Sequence, residues 1–158
     1  MKPDPRLLLV IAAVAGGCAV DVPPLGDYTN WQRAVVRGPA PGHGDTIRWI
    51  YANDEALVLD EGRWAEGAIV VKEIYTRDGD DKGALRYVAI MRRCAAPEDI
   101  DPYADGGCGA AGYDWAQSGW LFTKSDEPQG NETHAGFCWD NCHRAAPYEG
   151  AFLDYSRW

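Results

Sequence analysis

The spacing of apolar and polar residues changes period several times along this chain. Residues 68–75, Ala-Ile-Val-Val-Lys-Glu-Ile-Tyr, alternate most clearly, with Val70, Lys72 and Ile74 on one face and Ile69, Val71 and Tyr75 on the other. A period of two is the signature of a strand. Leu85 to Arg92 repeats it after the turn Asp78-Gly-Asp-Asp-Lys-Gly83, which predicts an antiparallel partner. Thr46 to Tyr51 is β-branched and aromatic and reads as a strand, as does the stretch from about Gly119 to Lys124. Two stretches have helical spacing. Asp27 is placed as the N-cap of a helix through Val36, with Tyr28, Trp31 and Val35 on one face, and Asn53 as the cap of a second helix through about Trp64. Pro39, Pro41 and the glycines around them force a loop, Cys94 to Tyr113 forms a long irregular insert, and Asp126 to Gly136 is a polar loop. The expected architecture is α+β: a single domain, mainly antiparallel β-sheet with a few peripheral short helices.

The N-terminus adds an address. Lys2 and Arg6 precede the apolar run Leu7 to Val14, followed by Ala15-Gly-Gly-Cys18. That run is too short to span a bilayer, which takes roughly 20 apolar residues, and it has the form of a secretory signal. Small residues ending on a cysteine resemble the bacterial lipoprotein box, which implies cleavage after residue 17 and lipidation of Cys18. The expected division is a signal over residues 1–17, a tether with Pro23 and Pro24 over 18–26, and one domain over 27–158. The protein is then expected on the periplasmic side of a bacterial membrane, lipid-anchored or secreted, touching the membrane through its lipid anchor alone.

Composition narrows the partners. The 158 residues are 46% hydrophobic, with 7 Trp and 8 Tyr, which suits a packed core rather than disorder. Net charge is −9. No basic stripe is present to neutralise phosphates, so nucleic acid is not an expected partner.

The candidate chemistry lies near the C-terminus, in Cys138-Trp-Asp-Asn-Cys142-His143. Covalent haem attachment needs two thiols and an adjacent imidazole, commonly spaced C-x-x-C-H; this segment is one residue longer. On a helical turn, positions i and i+4 still share a face, so both thiols can approach one porphyrin edge with His143 as the proximal iron ligand. The competing reading is a Cys138–Cys142 disulfide. Cys94 and Cys108 bracket the glycine-rich insert and are expected to pair, contributing about 3 kcal/mol in the chain-entropy picture. His43, in a Pro/Gly loop, and His134, in a polar one, read as solvated.

In their order along the chain, Gly67-Ala-Ile-Val-Val-Lys72-Glu73, Arg86-Tyr-Val-Ala-Ile-Met91, Trp120-Leu-Phe, the Cys-Cys-His box and a final Phe-Leu-Asp-Tyr resemble the cytochrome P-460 family and its cytochrome c′-beta relatives. The resemblance runs over roughly residues 27 to 155. It implies an antiparallel sheet, one covalent haem c per chain, five-coordinate iron with an open distal site, and often a homodimer. Lys72 matches the lysine that becomes crosslinked to porphyrin in the family. Met91, by register from Tyr87, takes the position of the distal carboxylate found in hydroxylamine-oxidising members. A thioether cannot accept a proton, so the expectation shifts towards binding a small ligand such as nitric oxide or, with Met91 as a sixth iron ligand, towards electron transfer with a redox protein. A plain core methionine is the third reading of Met91. Hydroxylamine oxidation with a Lys72 crosslink is the enzymatic alternative, and a non-haem module stapled by disulfides is the third.

Overall fold

The computed structural model describes residue 22 and residues 24–94 and 119–158. The expected signal, Cys18, Cys108 and nearly all of the Cys94 to Tyr113 insert lie outside the described residues. Eight strands follow in chain order: β1 Gln32–Ala40, β2 Gly44–Ala52, β3 Leu59–Asp60, β4 Arg63–Trp64, β5 Ile69–Asp78, β6 Asp81–Arg93, β7 Trp120–Ser125 and β8 Thr133–His134. Six of them make one sheet in the order β1-β2-β5-β6-β7-β8, with β3 and β4 a separate small hairpin. Each neighbouring pair in the large sheet is antiparallel. The β part of the expected architecture is therefore present. The helical part among the described residues is α1, Phe137–Asn141, together with single 3-10 turns.

Two predicted helices are absent. Tyr28–Asn30 is one 3-10 turn, and the chain then extends into β1, pairing with β2 from Gln32↔Ala52 to Ala40↔Gly44. Ala34, Val36, Gly38 and Ala40 turn inward while Val35 is exposed, the alternation of an edge strand. Hydrogen bonding along the whole length of β2 outweighs a helical spacing that only Tyr28, Trp31 and Val35 support. Asn53 Oδ1 accepts from the amides of Ala56 and Ile69, but the capping position belongs to Asp54 and the helix stops after Glu55–Leu57. Glu61 and Gly62 then take φ of 47° and 81°. Two successive left-handed residues turn a hairpin, not a helix.

The sheet separates two apolar layers. On one side Ile50, Val70, Met91 and Phe122 pack with Trp64, Trp120 and Tyr155. Burying side chains of this size contributes roughly 2 kcal/mol each. The C-terminal segment closes over this side, with Ala151 and Tyr155 buried. The other side holds Tyr28, Tyr51, Val71, Val88 and Ile90. Among these lies Glu73, buried, whose carboxylate accepts from Tyr28 at 2.7 Å, Tyr75 at 2.8 Å and Tyr51 at 3.2 Å.

Candidate functional site

A cavity of about 330 Å³ lies on the first face of the sheet. Alternate residues of adjacent strands make its floor: Arg48 and Ile50 from β2, Val70 and Lys72 from β5, Tyr87, Ala89 and Met91 from β6, and Phe122 from β7. The register puts Ile50, Lys72 and Ala89 side by side and lines up Val70, Met91 and Phe122. Directly opposed residues project to the same face, so pairing alone brings Lys72 and Met91 to one chamber. Cys138, Cys142 and His143 close it from α1 and the 3-10 turn His143–Ala145. Five residues predicted from sequence thus share one cavity.

Cys138 and Cys142 stand one helical turn apart, the Cys142 amide donating to the Cys138 carbonyl. Neither is in a disulfide, so the stapled pairing does not occur here. Cys94 is disulfide-bonded; its expected partner, Cys108, is outside the described residues.

His143 is buried, and its Nδ1 lies 2.6 Å from the Gly150 carbonyl oxygen. A carbonyl only accepts, so Nδ1 carries the hydrogen and Nε2 keeps its lone pair. Burial pushes this imidazole down to about 4, the Lys72 charge adding to the effect and the Gly150 carbonyl opposing it. His143 is therefore neutral at neutral pH. Phe122 and Phe152 flank the ring, with centroids at 4.9 and 5.2 Å. The carbonyl that orients it belongs to a tight turn in which Glu149 and Gly150 have φ of 44° and 88°, and Tyr148 and Ala151 exchange both backbone bonds. Trp64 Nε1 donates to the Tyr148 carbonyl and Trp120 Nε1 to that of Glu149, fixing the turn from two sides.

Lys72 is half-buried, and its Nζ is 3.5 Å from His43 Nε2. Burial pushes the ammonium down to about 8; Cys138 and Cys142 counteract this, and the Arg48 charge reinforces it. Met91, 4% exposed, packs into the cavity wall between Val70 and Phe122. Among the described residues no carboxylate lines the cavity.

His134 on β8 is exposed, as expected. His43 is not the solvated loop residue its neighbours suggested. Pro41 and Gly42, the latter at φ 73°, make a turn closed by the His43 amide donating to the Ala40 carbonyl, the pattern of a type II turn. Arg86 holds the His43 carbonyl at 2.7 Å, and His43 Nδ1 lies 2.7 Å from the Tyr87 hydroxyl. The turn signal Pro41-Gly42 was legible; that it carries His43 over Lys72 depends on the β1–β2 pairing, which was not.

Among the described residues no group of three His, Cys, Asp or Glu side chains is arranged to hold a metal ion, and no helix is long and apolar enough to cross a membrane. No family model matches the chain, and no curated protein matches it.

Proposed function

We propose that this chain is an exported, lipid-anchored c-type haem protein of the cytochrome P-460 type that binds a small nitrogen-oxide ligand. One observation carries the reading: a neutral His143 with Nδ1 committed to Gly150, in the same cavity as two thiols one helical turn apart. A histidine that ligates metal typically donates its other ring hydrogen to a carbonyl or carboxylate, which fixes the ring and raises the basicity of the ligating nitrogen. Cys138 and Cys142 would supply the thioether links and His143 Nε2 the iron bond. The haem would bring an iron centre able to bind a diatomic ligand.

The lining supports the same reading. It is largely apolar with a few polar groups, and its volume falls at the lower end of the range usual for ligand sites. Phe137 and Phe152 line the cavity and are 57% and 48% exposed, large apolar surfaces that a planar cofactor would cover. A methionine among aliphatic side chains, with no carboxylate in the lining among the described residues, leaves no general base for the proton-coupled oxidation of hydroxylamine.

The test is the full chain expressed with a c-type maturation system. Its mass should rise by one haem and a Soret band should appear, while a Cys138→Ser/Cys142→Ser protein should lose covalent haem. A wild-type protein without a Soret band ends the reading. A second reading, a hydroxylamine-oxidising enzyme with Lys72 crosslinked to porphyrin, is favoured by the Lys72 amine facing the cavity with a lowered pKa. It requires a red-shifted Soret band that Lys72→Ala abolishes, together with hydroxylamine-dependent reduction of an acceptor.

A further inference from the structure

Lys72, His43 and Tyr87 form a hydrogen-bonded chain along the cavity wall, and its direction follows from what each group can donate. The Lys72 ammonium only donates, so at 3.5 Å His43 Nε2 is the acceptor. His43, kept neutral by burial and by the charges of Lys72 and Arg48, then carries its hydrogen on Nδ1 and gives it to the Tyr87 oxygen, 2.7 Å away. The Tyr87 hydroxyl hydrogen is left over. Lys72 makes no other hydrogen bond among the described residues, so two of its three N–H groups are left over as well. Three donors from side chains that line the cavity therefore have no acceptor among the described residues.

Cations predominate around these donors, the acidic groups acting on Lys72 being the thiols of Cys138 and Cys142. Arg48, buried and lining the same cavity, spends Nη1 on the Gly38 carbonyl and Thr46 Oγ1. Arg86 holds the His43 carbonyl from outside. The carboxylate acting on Arg48 is that of Asp45, which is ion-paired with Arg77 at 3.1 Å. Among the described residues no carboxylate lines the chamber, so these desolvated cations and donors lack one partner there, an acceptor with negative charge.

The geometry points to a binding site for a small monovalent oxyanion, of the size of nitrite or formate, held by Lys72 and Tyr87 with His43 fixing the direction of both. The site uses only side chains of this chain and does not depend on the cavity carrying haem. Arg48 supplies background charge, and the apolar floor of Ile50, Val70 and Ala89 limits the ligand to a few atoms.

The experiment is calorimetric titration of the protein as isolated with sodium nitrite and, separately, sodium formate, at constant ionic strength against chloride. Saturable binding is expected. Lys72→Met should weaken it at least about tenfold and Tyr87→Phe about fivefold, as expected for a charged and a neutral hydrogen bond. Lys72→Arg, which keeps the charge, should restore most of the affinity. His43→Leu should weaken binding although His43 need not touch the anion. Absence of saturable binding, or equal affinity in wild type and Lys72→Met, overturns the proposal. Nitrite binding without formate binding assigns the site to nitrogen oxyanions and supports it. A haem-loaded protein that refuses both anions, but loses cofactor on Lys72→Met, assigns the donors to the porphyrin carboxylates and overturns the free-ligand site. Haem content is read independently from mass, so failure here and failure of the haem reading remain distinct.

Discussion

Lys72 and Glu73 are consecutive in β5, and the pleat sends them into environments built in opposite ways. Glu73 is 4% exposed and accepts hydrogen bonds from three tyrosines. Lys72 faces a cavity with one long contact, to His43, and the Arg48 cation near it. A buried charge stabilises a fold only when its hydrogen-bonding capacity is filled. By that criterion the Glu73 face is finished structure, and the Lys72 face is incomplete until something enters it. The alternation of a strand makes this possible within two residues.

The comparison breaks most directly at Glu73. Glu73→Ala should cost about 4 kcal/mol in urea unfolding, because three buried hydroxyls lose their acceptor together with a buried side-chain volume. Tyr28, Tyr51 and Tyr75 have their phenols raised by burial and by Glu73, so they remain donors at any pH of interest. A loss below about 1 kcal/mol would mean that this cluster is not the fastening described here.

Acid sharpens the cavity side. In haem-free protein His143 is held near 4, against an ordinary value of 6.5. Between those values the unfolded chain binds a proton that the folded chain refuses, so stability rises with pH across the window. It should be fully present above pH 6.5 and fall by about 3 kcal/mol as pH drops to 4. Equilibrium unfolding at pH 7 and pH 4 measures this. His43, also lowered to about 4 by burial and the Lys72 charge, adds a like amount, so His143→Gln should remove about half of the total difference.

The turn behind His143 comes next. Gly150 has φ of 88°, and a Cβ there would approach Trp120 to 3.1 Å and Trp139 to 3.4 Å. Gly150→Ala should cost about 2 kcal/mol through backbone strain and crowding. It should also disturb the His143 orientation, visible as a shifted His143 ring resonance in NMR. An unmoved resonance would show that the Gly150 carbonyl does not set the ring.

Local signals carried much of this arrangement. The alternation around Lys72 located β5, its faces and the hairpin to β6, and the cysteine spacing located the α1 turn. What sequence did not reveal is the part decided by distant pairing. Gln32 to Val36 has the local spacing of a helix, and only pairing with β2 makes Gln32–Ala40 an edge strand. The Glu73 cluster joins Tyr28, Tyr51 and Tyr75 over separations of up to 45 residues, and no spacing rule reaches that far. His43 was missed for the same reason. Its turn is local, but its partners are Lys72 and Tyr87 on strands in the middle of the sheet.

The smallest predicted effect tests the other half of the comparison. If the cavity side is incomplete, removing its cation should not hurt the fold. Lys72→Met keeps the aliphatic stem and discards a desolvated charge held by a single 3.5 Å contact, so stability at pH 7 should be unchanged or higher by about 1 kcal/mol. The sign of the pH dependence gives an independent check. The ordinary value of 10.5 is lowered to about 8 in the folded protein. Between pH 8 and 10.5 the unfolded chain therefore binds the proton that the folded chain has released, and wild-type stability rises with pH relative to the variant. Any advantage of Lys72→Met should be largest at or below pH 8 and shrink towards pH 10. A variant clearly less stable than wild type at pH 7 would mean that Lys72 is already satisfied, and the two faces of β5 would then be alike.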